Sequence, residues 1–224
     1  MNLTKNKKKQ IEGIDLDKSY PVLEAVKLLK EKKYVKFDES VEISINTGID
    51  SKQSDQNVRG SFVPPHGLGK KVEIAVFAQG KNADEAKSLG VKRVGGEDLV
   101  TALQNKIDVD VIIATPDMMS VVSKIAKTLG PKGLMPNPKT GTVTNDIKST
   151  IDNINKGLVA YKSDKAGTIH AALGKLSFEE NQISENINSF IEEIKKIKPS
   201  GLKGNFINSV FISSTMGFGL KVEI

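Results

Sequence analysis

Apolar residues recur along the chain with two different periods, and each period predicts a different kind of element. Between Ser19 and Leu29 the apolar positions repeat every three or four residues, which predicts an amphipathic helix opened by Ser19 and Pro21. A longer helix with the same period is predicted over 181–198, where Pro199 stops it. Three shorter helices are also predicted. One is opened by a capping box at Asn82 and Glu85, one starts at Thr115-Pro116 and ends near Leu129-Gly130-Pro131, and one spans 146–155.

Strand patterns come in two styles. Residues 40–47 and 206–212 alternate apolar and polar positions, which is typical of antiparallel strands with one solvated face. Residues 109–114 are almost continuously apolar, which is typical of a buried strand in a parallel sheet. Residues 71–78 form another predicted strand, and this strand leads directly into a helix. Residues 220–224 alternate again, so we expect the last segment to be a strand inside a sheet.

The order of these elements predicts an α/β fold with two domains. The middle of the chain has the order β-α-β-α-β-α of a small parallel α/β unit, and its flanks are α+β. Glycine and proline clusters separate the two parts. We expect an outer, split α+β domain of 1–66 and 159–224, with an antiparallel sheet packed by helices, and an inserted domain of 67–158. The expected hinge lies near 64–70 and 156–160, at Pro65, Gly67, Gly69 and Gly157.

Composition excludes several kinds of chemistry. The chain has no cysteine and only two histidines, without a cluster of metal-ligating residues at helical spacing. We therefore expect no disulfide, no metal site and no cofactor. No apolar run approaches the roughly 20 residues of a membrane span, and the basic amino terminus lacks the apolar stretch of a secretory signal. A cytoplasmic protein that is not embedded in a membrane is expected.

The charge balance favours a polyanionic partner. The net charge is +6, from 31 lysines and only two arginines against 27 acidic residues. Guanidinium groups that read the edge of guanine are therefore nearly absent. A nucleic acid would have to be bound through its phosphates, its 2′-hydroxyls and its shape.

The glycine-rich loop at 130–142 allows two interpretations. Residues 118–145 contain no acidic side chain, and Lys132 and Lys139 lie beside exposed glycine amides, so the loop is suited to hold a phosphate. A rigid, proline-fixed connection explains the same residues equally well.

A nucleotide-binding enzyme that uses the α/β unit is the alternative function. The segment from His66 to Lys70 departs from a phosphate-binding loop, because Pro64 stands six residues before Lys70 and Lys71 follows it. No G-x-G-x-x-G follows a strand of the unit and no G-x-S-x-G occurs. We therefore expect no enzymatic activity.

The segment SSTMG at 213–217 places three hydroxyls, a methionine and a glycine together. If it lies beside residues 36–42, these groups form a platform suited to the wide minor groove of RNA, where 2′-hydroxyls donate and accept hydrogen bonds. The alternative is a strand end with a bulge at Gly217 and Gly219. Phe37, taken alone, fits an ordinary core residue.

Four segments in order and register resemble one known family. They are NVRGSFVPPHGLGK (57–70), LGPKGLMPNPKTGTVT (129–144), KAGTIHAALGKLSF (165–178) and SSTMG (213–217). On these segments the chain resembles the ribosomal protein L-one family, the first-numbered protein of the large ribosomal subunit, which belongs to the mobile ribosomal stalk. The resemblance implies a split outer domain that binds rRNA and an inserted Rossmann-like α/β/α domain on a hinge.

The resemblance also implies a set of RNA-binding residues. They are Lys36, Phe37, Ser40, Glu42, Ser213, Ser214, Thr215, Met216 and Gly217, together with Lys165, Gly167, His170 and Lys175. Ser40 stands where the family usually has threonine, which keeps the hydroxyl. Phe218 stands where the family often has proline, and Pro64 where it often has leucine.

The function implied by the resemblance is that of a structural constituent of the large ribosomal subunit. Its implied partners are the stalk rRNA, the deacylated tRNA whose release from the exit site it assists, and the mRNA of its own operon, which it represses. Lys132 and Lys139 are possible secondary phosphate contacts. The protein is expected to be a monomer outside the ribosome.

Overall fold

The protein has a mixed α/β fold of several sheets and helices, as the sequence predicts. The computed structural model describes residues 5–50, 53, 56–105, 108–199, 202 and 204–223. The chain divides into two compact units, Met1–Gly69 with Val159–Ile224 and Lys70–Leu158, which we call the first and the second unit. Each unit has its own sheet and its own apolar core.

The helices and strands have the following bounds. The helices are α1 Lys5–Ile11, α2 Val22–Glu31, α3 Lys81–Ser88, α4 Glu97–Asn105, α5 Met119–Ser123, α6 Ala126–Leu129, α7 Ile147–Asn155 and α8 Glu180–Lys196. The strands are β1 Ser19–Tyr20, β2 Ser40–Thr47, β3 Arg59–Phe62, β4 Ile74–Phe77, β5 Arg93–Gly95, β6 Val111–Ala114, β7 Val159–Lys162, β8 Thr168–Lys175, β9 Ile207–Ser214 and β10 Gly219–Val222.

The first unit is built on a five-stranded sheet in the order β1-β10-β9-β2-β8, in which only β1 and β10 pair in parallel. One face of this sheet packs against α2 and α8. Its alternate residues are buried, as with Val41, Ile43 and Ile45 on β2. The residues between them point away from the core and make an open sheet face. The clean alternation seen in the sequence follows from this one-sided burial.

A two-stranded sheet of β3 and β7 completes the first unit. The rings of Phe62 and Tyr161 meet the ring of Phe190 edge to face, with centroids 5.3 and 5.5 Å apart. Because Phe190 lies on α8, these contacts join the small sheet to the main core.

The second unit is a parallel sheet in the order β5-β4-β6 with helices on both faces. On β4, Ile74 and Val76 pack with α3 and α7, whereas Ala75 and Phe77 pack with α4, α5 and α6. All four residues of β4 are buried, which explains why its sequence does not alternate.

Three local predictions were wrong. Ser19 belongs to strand β1, and α2 begins after Pro21. Asn82 does not cap a helix, because α3 begins one residue earlier, at Lys81. The residue before α3 is Gly80, whose φ of 60° favours glycine.

The third wrong prediction is the continuous helix from Thr115 to Leu129. It is instead a 3₁₀ turn at Pro116–Met118 followed by α5 and α6. The hydroxyl of Ser123 donates to the carbonyl of Met119 over 2.8 Å, a bond that bends helices.

The other predicted elements agree with the structure to within a few residues. Asp146 caps α7 through a bond from the Ser149 amide, and α8 and β10 lie where they were expected. Ile224, at the end of the last predicted strand, lies outside the described residues.

Candidate nucleic-acid interface

Three strands bring distant segments together at one end of the five-stranded sheet. Ser40, the first residue of β2, pairs with Lys175, the last residue of β8. The turn that follows β9 lies on the other side of β2, where the amide of Thr215 donates to the carbonyl of Ser40 over 3.1 Å. We call Ser40, Lys175, Thr215, Met216 and Gly217 the rim surface. Segments 36–42 and 213–217 are therefore neighbours in the structure.

Side-chain hydrogen bonds fix the polar groups of the rim surface. The hydroxyl of Thr215 accepts a bond from the amide of Ser40 over 3.0 Å. The ammonium group of Lys175 donates to the Ser40 hydroxyl over 2.8 Å. Just before β2, Asp38 accepts bonds from the amide and hydroxyl of Ser177, which hold the two strand ends together. The rim surface is thus arranged in advance of any ligand.

Glu39 supports this arrangement from beneath. Its side chain is only 1% exposed, and Oε2 accepts bonds of 2.8 Å from the Ser214 hydroxyl and from the Met216 amide. Its Oε1 is also buried and has no hydrogen-bond partner among the described residues. The buried carboxyl group therefore holds the turn by its backbone as well as by a side chain.

The sequence interpretation missed Glu39, although a signal was present. Alternation on β2 places Val41, Ile43 and Ile45 toward the core, and Glu39 continues the same parity. Ser214 likewise follows Val210 and Ile212 on the inward side of β9, and it is only 6% exposed. Ser214 therefore serves the turn through Glu39, and its hydroxyl is not displayed on the surface.

Two large apolar side chains at this end of the sheet face the solvent. Phe37 is 51% exposed and Met216 is 43% exposed. Interpreting Phe37 as a core residue was therefore wrong. The predicted bulge at Gly217 and Gly219 was also wrong, because 215–218 is the turn of the β9–β10 hairpin and Gly219 begins β10.

Gly217 has a steric reason to be glycine. A Cβ on this residue would overlap the hydroxyl oxygen of Ser214, the same oxygen that donates to Glu39. A side chain at position 217 would therefore break the support of the turn.

The open sheet face carries the other predicted residues that lie on strands. Glu42 and Ser213 are directly opposite each other on β2 and β9. His170 on β8 lies opposite Ser44, with its Nδ1 3.1 Å from the serine hydroxyl. His170 also lies 3.7 Å from Asp164, measured from Nε2 to the carboxylate oxygen.

Lys165 and Gly167 lie apart from the rim surface. They precede β8, whereas Lys175 ends it, so a length of about 23 Å separates the two groups at roughly 3.3 Å per residue. Gly167 is buried, and its φ of 79° fits a turn whose carbonyl accepts the amide of Thr47. The amides of Thr168 and Ala166 donate to Asp164 and lower the pKa of its carboxyl group.

The predicted hinge glycines all have positive φ angles, at 68° for Gly67, 65° for Gly69 and 97° for Gly157. Gly157 lies two residues after the end of α7, where its amide donates to the carbonyl of Ile154, as at many helix ends. Pro65, two residues before Gly67 in the sequence, is exposed.

Lys132 and Lys139 are exposed in the second unit. In this loop Asn137 accepts the amide of Lys139 over 2.8 Å and donates its own amide to the Thr142 hydroxyl over 2.8 Å. The loop therefore has the internal bonds of a rigid connection, and both lysines remain on its surface.

The second unit offers little to a nucleotide. A cavity of 360 Å³ is lined by residues at the amino ends of β4 and β5, including Ile74 and Lys92. Nucleotides in open parallel sheets bind instead at the carboxyl ends of the strands. Within the described residues no group of three or more histidine, aspartate or glutamate side chains could hold a metal ion, and no helix could cross a membrane.

Comparison with known proteins identifies the family. The sequence model of the ribosomal protein L1p/L10e family matches residues 29–218. The chain belongs to this family. It is 49% identical over 222 residues to the large ribosomal subunit protein uL1 of Coxiella burnetii, covering 99% of this chain and 96% of the relative. The uL1 protein of Alcanivorax borkumensis is 50% identical over 222 residues, which cover 99% of this chain and 96% of that protein. The uL1 protein of Thermosipho africanus is also 50% identical, over 212 residues that cover 94% of this chain and 91% of that protein.

Membership in the L1p/L10e family answers the broad question of function. The protein is a structural constituent of the large ribosomal subunit, and its place is the cytoplasmic ribosome. Its relatives are structural ribosomal proteins, so it is not an enzyme and the nucleotide-enzyme alternative has no support. A constituent of the large subunit has rRNA as its partner.

Proposed function

We propose that the protein binds the stalk rRNA of the large subunit through the rim surface. The observation that carries the proposal is the bond between Thr215 and Ser40, which joins two segments 175 residues apart into one preformed polar surface. Met216 on this surface and Phe37 at the same end of the sheet are exposed apolar groups. The other predicted RNA-binding residues are part of the same proposal: Lys36, Glu42 and Ser213 near the rim surface, Lys165 and Gly167 before β8, and His170 on β8. Ser214 takes part by supporting the turn through its bond to Glu39.

The chemistry of the rim surface suits RNA better than DNA. Hydroxyls and backbone groups can exchange hydrogen bonds with 2′-hydroxyls across the wide minor groove of A-form RNA. Met216 offers an apolar contact to the sugar and base edges at the same place. Because the chain has only two arginines, most of the phosphate attraction falls to its lysines, such as Lys36 and Lys175.

Four further parts of the proposal rest on the family resemblance. The second unit is a Rossmann-like domain inserted through a hinge at Pro65, Gly67, Gly69 and Gly157, which lets the protein move with the stalk. This movement assists release of deacylated tRNA from the exit site. The rim surface also binds an rRNA-like structure in the mRNA of the protein's own operon and represses its translation. Outside the ribosome the protein is a monomer.

The test is binding of the purified protein to a stalk-rRNA fragment across a series of salt concentrations. Thr215→Ala removes the hydroxyl that positions Ser40, and we expect it to weaken binding by roughly 5- to 150-fold, the equivalent of about 1–3 kcal/mol. Thr215→Ser keeps the hydroxyl and should retain most of the affinity. Lys132 and Lys139 in the second unit are proposed as secondary phosphate contacts only, so Lys132→Ala and Lys139→Ala should each change the affinity by less than about threefold.

The dependence on salt separates specific from general binding. Each phosphate contact contributes a slope of about −0.7 to −0.9 to log K against log salt. Recognition by hydroxyls predicts that Thr215→Ala leaves this slope unchanged while lowering affinity at every salt concentration. An unchanged affinity in Thr215→Ala, with a large loss in the two lysine variants, would refute the rim surface as the binding site.

A further inference from the structure

One aromatic side chain on the open sheet face belongs to no part of the proposed rim contact. Phe211 on β9 is 39% exposed, although its neighbours Val210 and Ile212 are fully buried. The other outward residues of β9 near it, Ser209 and Ser213, are small and polar. Burial therefore does not account for a phenyl ring at this position.

The strand register shows what surrounds the ring. Phe211 pairs with Ser44 on β2 and with Lys221 on β10, and Ser44 pairs in turn with His170 on β8. Neighbouring strands are about 4.8 Å apart, so these residues form a row across four strands of about 14 Å. A phenyl ring thus lies between a lysine and a short serine, which leaves space on the serine side of the ring.

The row is continuous with the rim surface. Phe211 lies two residues before Ser213 and four before Thr215, which is about 13 Å along an extended strand. Both β2 and β9 run from the rim surface to this row, and the paired residues Glu42 and Ser213 lie between the two on the open face. A single ligand strand of a few nucleotides can reach from one place to the other.

The composition of the face favours RNA over a protein partner. A stable protein interface buries about 800 Å² on each side around an apolar centre. Among the described outward residues of β2, β8 and β9, Phe211 is the only large apolar side chain, and the rest are small, polar or charged. One exposed aromatic ring among hydroxyls, with a lysine beside it, is the arrangement that stacks an unpaired base and neutralises its phosphate.

We propose that Phe211 stacks on an unpaired base of the bound RNA, with Lys221 holding the adjoining phosphate. This second subsite rests on the proposed function, because it takes RNA already bound at the rim surface. It differs from the rim surface in chemistry. The rim contact uses hydroxyls and backbone groups on a paired helix, whereas the Phe211 subsite needs a base outside the helix.

The first experiment measures affinity for two stalk-rRNA fragments, one with unpaired nucleotides beside the helix and one fully paired. Stacking on an aromatic ring changes affinity by roughly 5- to 150-fold per base. We expect Phe211→Ala to lose an amount in this range for the first fragment only, with an unchanged salt slope. Phe211→Tyr keeps the ring and should restore binding. Leu23→Ala is the control, since Leu23 on α2 is also 39% exposed.

A second experiment reports stacking directly. The chain contains no tryptophan, so Phe211→Trp introduces a single fluorescent indole. We expect its emission to be quenched by the fragment with unpaired nucleotides and not by the paired fragment. Leu23→Trp should show no quenching with either. In the same series Lys221→Ala should reduce the salt slope by about 0.7 to 0.9, the value of one phosphate contact.

The outcomes separate this inference from the function on which it rests. If the unchanged protein bound neither fragment, the proposed function would fail. If Thr215→Ala weakened binding but Phe211→Ala and Phe211→Trp behaved like the Leu23 controls, only the Phe211 subsite would be refuted. Equal quenching by both fragments would also refute it, because the ring would then contact RNA without an unpaired base.

Discussion

The hydroxyl of Ser214 donates a hydrogen bond of 2.8 Å to the carboxyl group of Glu39, 175 residues away in the sequence. The same oxygen of Glu39 accepts the amide of Met216, also over 2.8 Å. An acidic side chain buried under a surface proposed to bind a polyanion requires an explanation. Its position supplies one, because Glu39 is only 1% exposed and organises the donors of the turn from beneath the surface.

Substitution of Glu39 tests this explanation. Glu39→Ala leaves the buried Ser214 hydroxyl and the partly buried Met216 amide without their acceptor, and each lost acceptor costs about 1–3 kcal/mol. We expect the free energy of unfolding to fall by about 2–4 kcal/mol, as measured by urea denaturation. Glu39→Gln keeps one acceptor oxygen and should lose about 1 kcal/mol. Glu42, three residues further along the chain, is exposed. Glu42→Gln is therefore the control, and it should change the free energy of unfolding by no more than about 0.5 kcal/mol.

Affinity for RNA should follow the same order. If the turn is held by Glu39, binding of the stalk fragment should weaken in Glu39→Ala and largely recover in Glu39→Gln. Equal affinity of Glu39→Ala and the unchanged protein would show that the turn keeps its shape without this support.

Gly217 and Ser214 should act together. A methyl group at position 217 would overlap the Ser214 hydroxyl, so Gly217→Ala should lower the free energy of unfolding by about 1–3 kcal/mol. Ser214→Ala removes the obstructing oxygen. In that background Gly217→Ala should cost less, with a coupling energy of at least about 0.5 kcal/mol in a double-mutant cycle. Simple additivity would contradict the steric explanation.

Local periodicity predicted the elements that a one-sided core imposes. Residues 40–47 are strand β2 with no change of bounds, because helices cover one face of the sheet and solvent the other. The same parity contained Glu39, but a charged residue at an inward position was not interpreted as buried. The contact between 36–42 and 213–217 could be stated only as a condition, since no local pattern reports which strands are neighbours.

Features that depend on distant partners could not be predicted in this way. Strand β1 has only two residues, Ser19 and Tyr20, and exists because it pairs with Lys221 and Val222. The exposed position of Phe37 is similar, because a phenylalanine before a strand has no local signal of its exposure. In both cases tertiary context overrides the local preference.

Asn186 is a third feature of this kind, and it leads to a prediction about stability. It is fully buried on α8, where its side chain accepts the amide of His66 over 3.1 Å and donates to the carbonyls of Gly67 and Leu173 over 3.2 and 2.8 Å. Asn186→Ala leaves these three backbone groups unpaired. We expect a loss of about 2–4 kcal/mol in the free energy of unfolding by urea denaturation.

The control for Asn186 lies on the same helix. Asn188 is exposed, and Asn188→Ala should leave stability unchanged or raise it by a few tenths of a kcal/mol, because alanine is the better helix former. If the two variants lost equal stability, helix propensity and not the buried amide would explain the effect.

Tyr161 predicts a loss of stability at alkaline pH. Burial raises the pKa of its phenol from 10.0 to about 12, and the charge of Glu193 adds to the effect. The fold therefore favours the neutral phenol. Its contribution is complete below pH 10, where the unfolded chain is also neutral, and is lost as the pH rises from about 10 to 12 because the unfolded chain ionises first.

Comparison with Tyr161→Phe isolates this contribution from the titration of the lysines. The ring of phenylalanine keeps the edge-to-face contact with Phe190 but cannot ionise. Between pH 8 and about pH 12 the unchanged protein should therefore lose up to about 2 kcal/mol more of its free energy of unfolding than the variant does. Urea denaturation at both pH values gives the difference. Parallel losses in the two proteins would mean that Tyr161 ionises as readily in the folded chain as in the unfolded one.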